Sequence, residues 1–310
     1  MSSADIALPL PVAYPQRRAA PGIFALLLAV SVLVYGLALA AACCLDSPAV
    51  LFAAWRTDSR PGAGSLFRDA RLVTLHANDG TALTGLRFDS PARHRPWLLF
   101  FYGNAESMLI EQPRLQWLQR QFGINVVCFD YRGYGFSGGV ASPLPLREDA
   151  LEEFDWVRAQ AHGAPVVVYG YSLGSQLAIH VAARRPAAGA IVEAAPASAD
   201  LMADWLRRWP LVQAVQWLTA PLMPLQPDPT VVEFLSATRE VPSLRIPLAV
   251  IHGTEDRVIP IAQGQTIFNF ATTPQKRFVA LPGTGHLGID YSRPPVADTI
   301  GWVLHQSAGI

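Results

Sequence analysis

Six short apolar runs constrain the fold of this chain more than any other feature of its sequence. The runs are Trp97–Phe101, Ile124–Phe129, Val166–Tyr169, Ala190–Val192, Leu248–Ile251 and Phe278–Leu281. Strands that are apolar on both faces belong to a parallel sheet covered by helices, and most of the intervening segments have helical periodicity. The sequence therefore predicts an α/β fold with a mostly parallel central sheet, and its 310 residues suffice for one sizeable core.

An antiparallel hairpin is expected before these runs. Arg71–His76 and Ala82–Phe88 alternate polar and apolar residues around Asn78–Gly80. This pattern is a strong short-range signal for two paired strands, which would form one edge of the sheet. We predict that the folded domain occupies residues 66–310 and follows a linker at residues 43–65.

The N-terminal region predicts a membrane anchor. Gly22–Ala42 contains no charged residue and is long enough to cross a bilayer as a helix. Arg17 and Arg18 precede it, so the positive-inside rule keeps residues 1–21 in the cytoplasm as a flexible tail. The folded domain would then lie outside the cytoplasm, tethered to the inner membrane. A cleaved signal sequence and a lipoprotein anchored at Cys43 are the alternatives.

Charge and cysteine usage argue against several classes of protein. Basic and acidic residues both number 24, so the chain offers no positive field to gather nucleic acid. Cys43, Cys44 and Cys128 lack the spacing of a metal site or a disulfide framework. We expect no metal, no other cofactor and no nucleic-acid partner.

A candidate nucleophile lies in the G-x-S-x-G motif of Gly170–Gly174. This motif forms a nucleophile elbow when a strand ends directly before it and a helix begins directly after it, because the tight turn lifts the serine oxygen clear of the sheet. Val166–Tyr169 supplies the strand, and Leu173–Arg184 has small or apolar residues at helical spacing. The sequence therefore predicts Ser172 as the nucleophile.

The same motif also occurs at Gly135–Gly139. Its serine, Ser137, lies several residues beyond the end of the preceding apolar run. Pro143 and Pro145 follow and are expected to obstruct a helix. We interpret Ser137 as a loop residue.

A serine nucleophile needs an imidazole to take its proton and a carboxylate to orient that imidazole. Asp256 comes immediately after the run Leu248–Ile251, and His286 lies in a glycine-rich loop after the last run. Alone, each would be interpreted as an ordinary surface residue. Together with Ser172 they form a Ser, Asp, His order along the chain, and we predict them as acid and base. Glu255 is the competing acid.

Acyl transfer also requires donors for the oxyanion that develops on the substrate. We predict the main-chain N–H of Leu173, directly after the nucleophile, as one donor. The second is the N–H of Asn104, in the loop that follows Trp97–Phe101.

Taken together, these motifs resemble the α/β-hydrolase superfamily, and within it the Bem46-like group with the mammalian ABHD12, ABHD13 and ABHD17 types. The residues that carry the resemblance are Tyr102–Ala105, Asp130–Gly135, Gly170–Gly174, His252–Asp256 and Gly285–His286. The resemblance implies an α/β-hydrolase fold and a metal-free serine hydrolase that acts on lipid esters, thioesters or similar carboxyl derivatives, often at membranes. Tyr102 departs from the pattern, since many relatives carry His there.

An insertion at residues 197–245 is the candidate for a short helical cap that selects the substrate. It is rich in Trp and Leu and interrupted by prolines, which exclude one long helix. A pair of helices packed on the core is an equally good interpretation. The residues expected to contact an acyl substrate are Tyr102, Tyr171, Trp205, Trp209 and Trp217. A serine peptidase of the same fold and a non-catalytic binding protein remain alternative functions.

Overall fold

An eight-stranded sheet forms the centre of the computed structural model, which describes residues 34, 69–219 and 228–308. The strands are β1 (Ala70–His76), β2 (Ala82–Phe88), β3 (Trp97–Phe101), β4 (Asn125–Phe129), β5 (Val166–Tyr171), β6 (Gly189–Glu193), β7 (Leu248–Gly253) and β8 (Lys276–Leu281). Every residue of β3 to β7 is buried, as the apolar runs predict for strands with helices on both faces.

The strand order across the sheet is β1-β2-β4-β3-β5-β6-β7-β8. The pairs β1–β2 and β2–β4 are antiparallel, and all other neighbours are parallel. The predicted hairpin and mostly parallel sheet are therefore confirmed. Strand β8 differs from expectation, because all of its first five residues are only partly buried or exposed and only its last residue, Leu281, is buried. It lies at the edge of the sheet, where one neighbour is missing.

Helices connect the strands and cover both faces of the sheet. They are α1 (Gln112–Phe122), α2 (Pro143–Ala161), α3 (Gly174–Arg184), α4 (Ala199–Leu206), α5 (Pro210–Thr219), α6 (Pro229–Phe234), α7 (Ala237–Glu240), α8 (Ile261–Phe270) and α9 (Pro294–Ala308). Since parallel strands all point the same way, the loops after β3, β5, β7 and β8 meet at the carboxyl edge of the sheet.

The expectation that Pro143 and Pro145 obstruct a helix is wrong. Helix α2 begins at Pro143, with Ser142 at its N-cap. The first N–H groups of a helix have no intrahelical acceptor, so a proline in the first turn loses no hydrogen bond, and its fixed φ suits the helix. Ser137 nevertheless lies in the loop between β4 and this helix.

The predicted insertion contains the four short helices α4 to α7 and a 3₁₀ turn at Val241–Ser243. The prolines at the starts of α5 and α6 agree with the expected interruptions. Residues 220–227 are not among those described. The predicted anchor at residues 22–42 also lies outside them, apart from Val34. Within the described part of the chain, no helix has the length and apolar character needed to span a membrane.

Candidate active site

Ser172 occupies a strained turn between β5 and α3. Its φ is +51°, in the left-handed region that residues other than glycine rarely adopt. Its N–H donates to the carbonyl of Glu193 on the neighbouring strand at 2.8 Å. A Cβ at Gly170 would overlap with the main chain of Gly174 and Ser175. The turn is therefore as tight as a nucleophile elbow requires, and the motif glycines are there because no side chain fits.

The second G-x-S-x-G motif, at Gly135–Gly139, stabilises a loop and does not form a nucleophile elbow. The hydroxyl of Ser137 donates to the carbonyl of Asp130 at 2.5 Å and accepts from the N–H of Thr84 at 2.9 Å. A Cβ at Gly135 would overlap with the Asp130 carboxyl group. Ser137 and the motif glycines therefore connect the loop after β4 to the hairpin. The Ser137 hydroxyl acts there as both a donor and an acceptor.

The structure brings Ser172, His286 and Asp256 together at the carboxyl edge of the sheet. Ser172 Oγ lies 3.0 Å from His286 Nε2, and His286 Nδ1 lies 2.7 Å from Asp256 Oδ2. A carboxylate on Nδ1 selects the tautomer that carries its proton there, which leaves Nε2 free to accept from the serine hydroxyl. Both hydrogen bonds have the geometry that base-assisted attack by serine needs.

Asp256 is held in its charged form by a dense set of donors. Its Oδ1 accepts the N–H groups of Val258 and Ile259 at 2.9 and 2.8 Å, while Oδ2 faces His286 and, at 3.4 Å, His252. Burial alone would raise the pKa of Asp256, but the hydrogen bonds from His252, His286 and Ile259 outweigh it and hold that pKa well below its usual range. Asp256 is thus a carboxylate at any pH near neutral.

Two residues that support the site were not predicted in these roles. His252 is fully buried, and its Nε2 lies 2.8 Å from the carbonyl of Ile259, in the same turn that binds Asp256. The Tyr171 hydroxyl donates to the carbonyl of His286 at 3.0 Å, and the two rings lie 5.7 Å apart at 31°. Tyr171 was predicted as a substrate contact; its side chain is largely buried and steadies the histidine loop.

The loop Tyr102–Ala105, here called the oxyanion loop because it contains the predicted donor Asn104, follows β3 and is held by several hydrogen bonds. The Tyr134 hydroxyl donates to Asn104 Oδ1 at 2.9 Å, and the Tyr131 hydroxyl donates to the Tyr102 carbonyl at 2.6 Å. Ala105 has a φ of +61°, so the loop contains a strained residue that such contacts must hold.

The start of α3 packs directly against this loop. Leu173 is the N-cap residue of α3, where main-chain N–H groups have no intrahelical acceptor. A Cβ at Gly174 would overlap with the carbonyl groups of Phe101 and Tyr102, so the two segments are in close main-chain contact. The residues predicted as oxyanion donors, Leu173 and Asn104, therefore belong to two adjoining segments beside Ser172.

The interpretation of Tyr102 as a substrate contact is wrong for its side chain. Tyr102 is fully buried, donates to Asp130 Oδ1 at 3.2 Å and accepts the N–H of Tyr131 at 2.9 Å. Asp130 also accepts the N–H of Met108 at 2.8 Å. A neutral phenol between a carboxyl group and an N–H is fully paired, so the buried ring supports the oxyanion loop and is not free to contact a substrate.

The tryptophans of the insertion differ in exposure. Trp205 is partly buried, whereas 45% of Trp209 and 81% of Trp217 are exposed. Their predicted contact with substrate stays a prediction. Within residues 69–219 and 228–308, no group of three or more His, Cys, Asp or Glu side chains is arranged to hold a metal ion.

The strand order, the serine at a strained elbow and the acid and histidine on later strand loops define an α/β-hydrolase. A sequence profile of the alpha/beta hydrolase family matches residues 72–298, so the chain belongs to this family. The expected likeness to the ABHD12 type is also confirmed. Lysophosphatidylserine lipase ABHD12 of Rattus norvegicus is 27% identical over 202 residues, which cover 61% of this chain and 48% of that protein.

Other relatives match the same region. An uncharacterised protein of Mycobacterium tuberculosis is 31% identical over 231 residues, covering 73% of this chain and 75% of the relative. The esterase Pf2001 of Pyrococcus furiosus has a similar structure, with a TM-score of 0.62 at 18% identity over 82% of this chain and 98% of the esterase. A monoacylglycerol lipase of Paleococcus ferrophilus gives 0.55 at 19% identity, over 72% of this chain and 99% of the lipase. These two structures share the fold.

Proposed function

We propose that this protein is a serine hydrolase that cleaves a carboxylic ester or thioester of a lipid-like acyl substrate. The observation that carries the proposal is the chain of hydrogen bonds from Ser172 through His286 to Asp256, at 3.0 and 2.7 Å. A hydroxyl is a poor nucleophile at neutral pH, and this arrangement is the one that activates it. Membership of the alpha/beta hydrolase family supports the same chemistry.

The reaction proceeds in two acyl transfers. Ser172 Oγ attacks the carboxyl carbon while His286 Nε2 takes the hydroxyl proton, and Asp256 stabilises the imidazolium that forms. The N–H groups of Leu173 and Asn104 donate to the oxyanion, and His286 returns the proton to the leaving alcohol or thiol. Water, deprotonated by His286, then attacks the acyl carbon; the bond to Ser172 Oγ breaks, His286 returns the proton to Oγ, and the acid is released. No step requires a metal or another cofactor.

Exposed apolar side chains on the loops that carry Asn104, Asp256 and His286 favour an acyl chain as substrate. Ile110, Val258 and Leu287 follow the oxyanion loop, Asp256 and His286 respectively, and each is more than half exposed, at 62%, 51% and 73%. Large apolar side chains near a reactive serine are typical of sites that bind hydrocarbon. The names of the relatives agree, since the rat ABHD12 is a lipase for lysophosphatidylserine.

Replacement of Leu287 by Ser should reduce activity on long acyl chains only. We expect kcat/KM to fall about 3- to 10-fold for p-nitrophenyl decanoate, because less apolar surface covers the chain, and to change little for the acetate. Leu72→Ser is the matched control, since Leu72 is also half exposed but lies on β1 at the far edge of the sheet.

The same assay separates esters from peptides. Equal losses on both ester lengths would contradict an acyl groove at Leu287. Hydrolysis of a peptide anilide, with none of any ester or thioester, would instead indicate a serine peptidase.

The N-terminal segment is proposed as an uncleaved inner-membrane anchor, with the catalytic domain outside the cytoplasm. The full chain, expressed in a bacterial host, should stay in carbonate-washed membranes, whereas a variant without residues 1–42 should move to the supernatant. Cys43→Ala should leave the full chain in the membranes, and its release would indicate a lipoprotein instead. A full chain in the supernatant would contradict both forms of attachment.

A further inference from the structure

A cluster of charged groups lies beneath the oxyanion loop, outside the triad. The Arg114 guanidinium lies 3.3 Å from Glu111 Oε2 and 3.4 Å from Glu193 Oε1, and both carboxyls are almost completely buried. Glu106, which is partly buried, is the third carboxyl of the cluster. Three carboxyls share one guanidinium, so ionising all three would leave two negative charges uncompensated in a poorly hydrated place.

Glu106 is the member that touches the oxyanion loop. The N–H of Gly103 donates to Glu106 Oε2 at 2.7 Å. A Cβ at Gly103 would lie 2.9 Å from that oxygen and 2.8 Å from the Tyr171 ring, so the main chain fits between a carboxyl and an aromatic ring with no space for a side chain. The N–H of Asn104 comes next along the chain. The position of the Glu106 carboxyl therefore sets the position of the proposed oxyanion donor.

We propose that Glu106 is a positioning residue for the oxyanion loop and that it acts in its uncharged form. This inference rests on the proposed hydrolase function. The neutral carboxyl accepts the Gly103 N–H and shares a hydrogen bond with the carboxyl of Glu111. An ionised Glu106 would be repelled by Glu111. It would also place a negative charge close to the oxyanion that develops on the substrate, which opposes the transition state.

The groups around Glu106 favour this neutral form. Burial, followed by the negative charge of Glu111, raises the pKa of Glu106 to about 7; Glu193 adds to this effect, whereas the Gly103 N–H and Arg114 oppose it. Burial also raises the pKa of three further groups that interact with Glu106, so these stay uncharged near neutral pH. These groups are Cys128, Tyr131 and Tyr171.

The protonation state of Glu106 determines the direction in which kcat changes with pH. Glu106 holds its proton below its raised pKa and releases it above. We therefore expect kcat to fall as the pH rises through about 7. A general base acts in its unprotonated form, so its protonation would lower kcat at acidic pH and cannot cause this alkaline fall.

The test compares the pH profiles of wild type, Glu106→Ala and Glu106→Gln on p-nitrophenyl butyrate. We expect Glu106→Ala to lower kcat about 10- to 100-fold with KM changed less than about 3-fold, because a misplaced donor affects mainly the transition state. Glu106→Gln keeps an oxygen for the Gly103 N–H and cannot ionise. It should restore most of the lost kcat and abolish the alkaline fall, which we expect to be about 10-fold in wild type.

A further variant tests the effect of the Glu111 charge while leaving the contact between Glu106 and Gly103 unchanged. Glu111→Gln removes the neighbouring negative charge, so the alkaline fall should move to lower pH. Wild-type kcat in Glu106→Ala, or an unchanged alkaline fall in Glu106→Gln, would overturn the inference. If Glu106→Ala does not fold, as judged by thermal unfolding, the comparison of wild type with Glu106→Gln decides.

A readout that needs no catalysis distinguishes this inference from the proposed function. In ¹H–¹⁵N spectra, the Gly103 amide should shift with a midpoint near the pKa of Glu106 in wild type, and should stay constant in Glu106→Gln. A Gly103 amide that does not titrate in wild type would overturn the inference even if the protein hydrolyses esters. A titrating Gly103 in a protein that neither hydrolyses esters nor reacts with a phosphonate would support the contact and contradict the proposed function.

Discussion

Ser172→Ala should reduce ester hydrolysis by about 10⁴- to 10⁶-fold in kcat, because it removes the hydroxyl that we propose forms the acyl-enzyme. The loss should appear in kcat with little change in KM, since Ser172 contacts the substrate mainly in the transition state. Its side chain is small and its hydroxyl has His286 as partner. We therefore expect the folded state to tolerate the change, and thermal unfolding of the variant measures this.

Ser137→Ala is the matched control, because it alters the same motif in a different structural context. It removes the acceptor of the Thr84 N–H and should cost about 1–3 kcal/mol of unfolding free energy, with hydrolysis retained. Ser172→Ala should therefore lose activity and keep its stability, whereas Ser137→Ala should lose stability and keep its activity. An active Ser172→Ala, or an inactive but folded Ser137→Ala, would contradict the assignment of the nucleophile.

Asp256→Asn should lower kcat by about 10³- to 10⁴-fold while preserving the fold. The reason is that the two oxygens of the Asp256 carboxylate have different partners. Oδ1 accepts the N–H groups of Val258 and Ile259, so the amide oxygen of Asn must occupy that position. Its NH₂ group then faces His286 Nδ1, and a donor there forces the tautomer whose proton sits on Nε2. Such an imidazole cannot take the proton of Ser172.

Glu255→Gln is the control for this prediction. Glu255 is adjacent to Asp256 in sequence but exposed, whereas Asp256 is buried against His286. We expect Glu255→Gln to keep the wild-type kcat within about 2-fold. Full activity in Asp256→Asn together with loss in Glu255→Gln would identify Glu255 as the acid and contradict the account.

Much of the fold could be predicted from the sequence, because a strand that is buried on both faces consists of a continuous run of apolar residues. The apolar runs for β3 to β7 contain no charge and have no amphipathic period, as expected for strands that are covered on both faces. Strand β8 was less clear, since an edge strand lacks one neighbouring strand and is less buried, and Phe278–Leu281 alone does not show this. Helix α2 was missed because a proline obstructs a helix everywhere except in its first turn.

The position of Ser172 was predictable because a nucleophile elbow is a local structure, made by one strand, one turn and two glycines. The support of the site was not, because it depends on contacts between distant segments. Glu106 and Tyr171 have ordinary sequence neighbours, and only the packing of α1, β5 and β6 brings carboxyls and rings beneath the oxyanion loop. Tyr102 was misinterpreted for the same reason, since the sequence does not show that its ring points at Asp130.

The central claim is that Ser172 is an activated nucleophile, and the most direct test is covalent. The protein is treated with a fluorophosphonate, digested, and the site of modification is mapped by peptide mass spectrometry. The account predicts one phosphonyl group per chain, located on Ser172 and absent when His286 is replaced by Ala. A folded wild-type protein that stays unmodified, or that carries the group on Ser137, would contradict it.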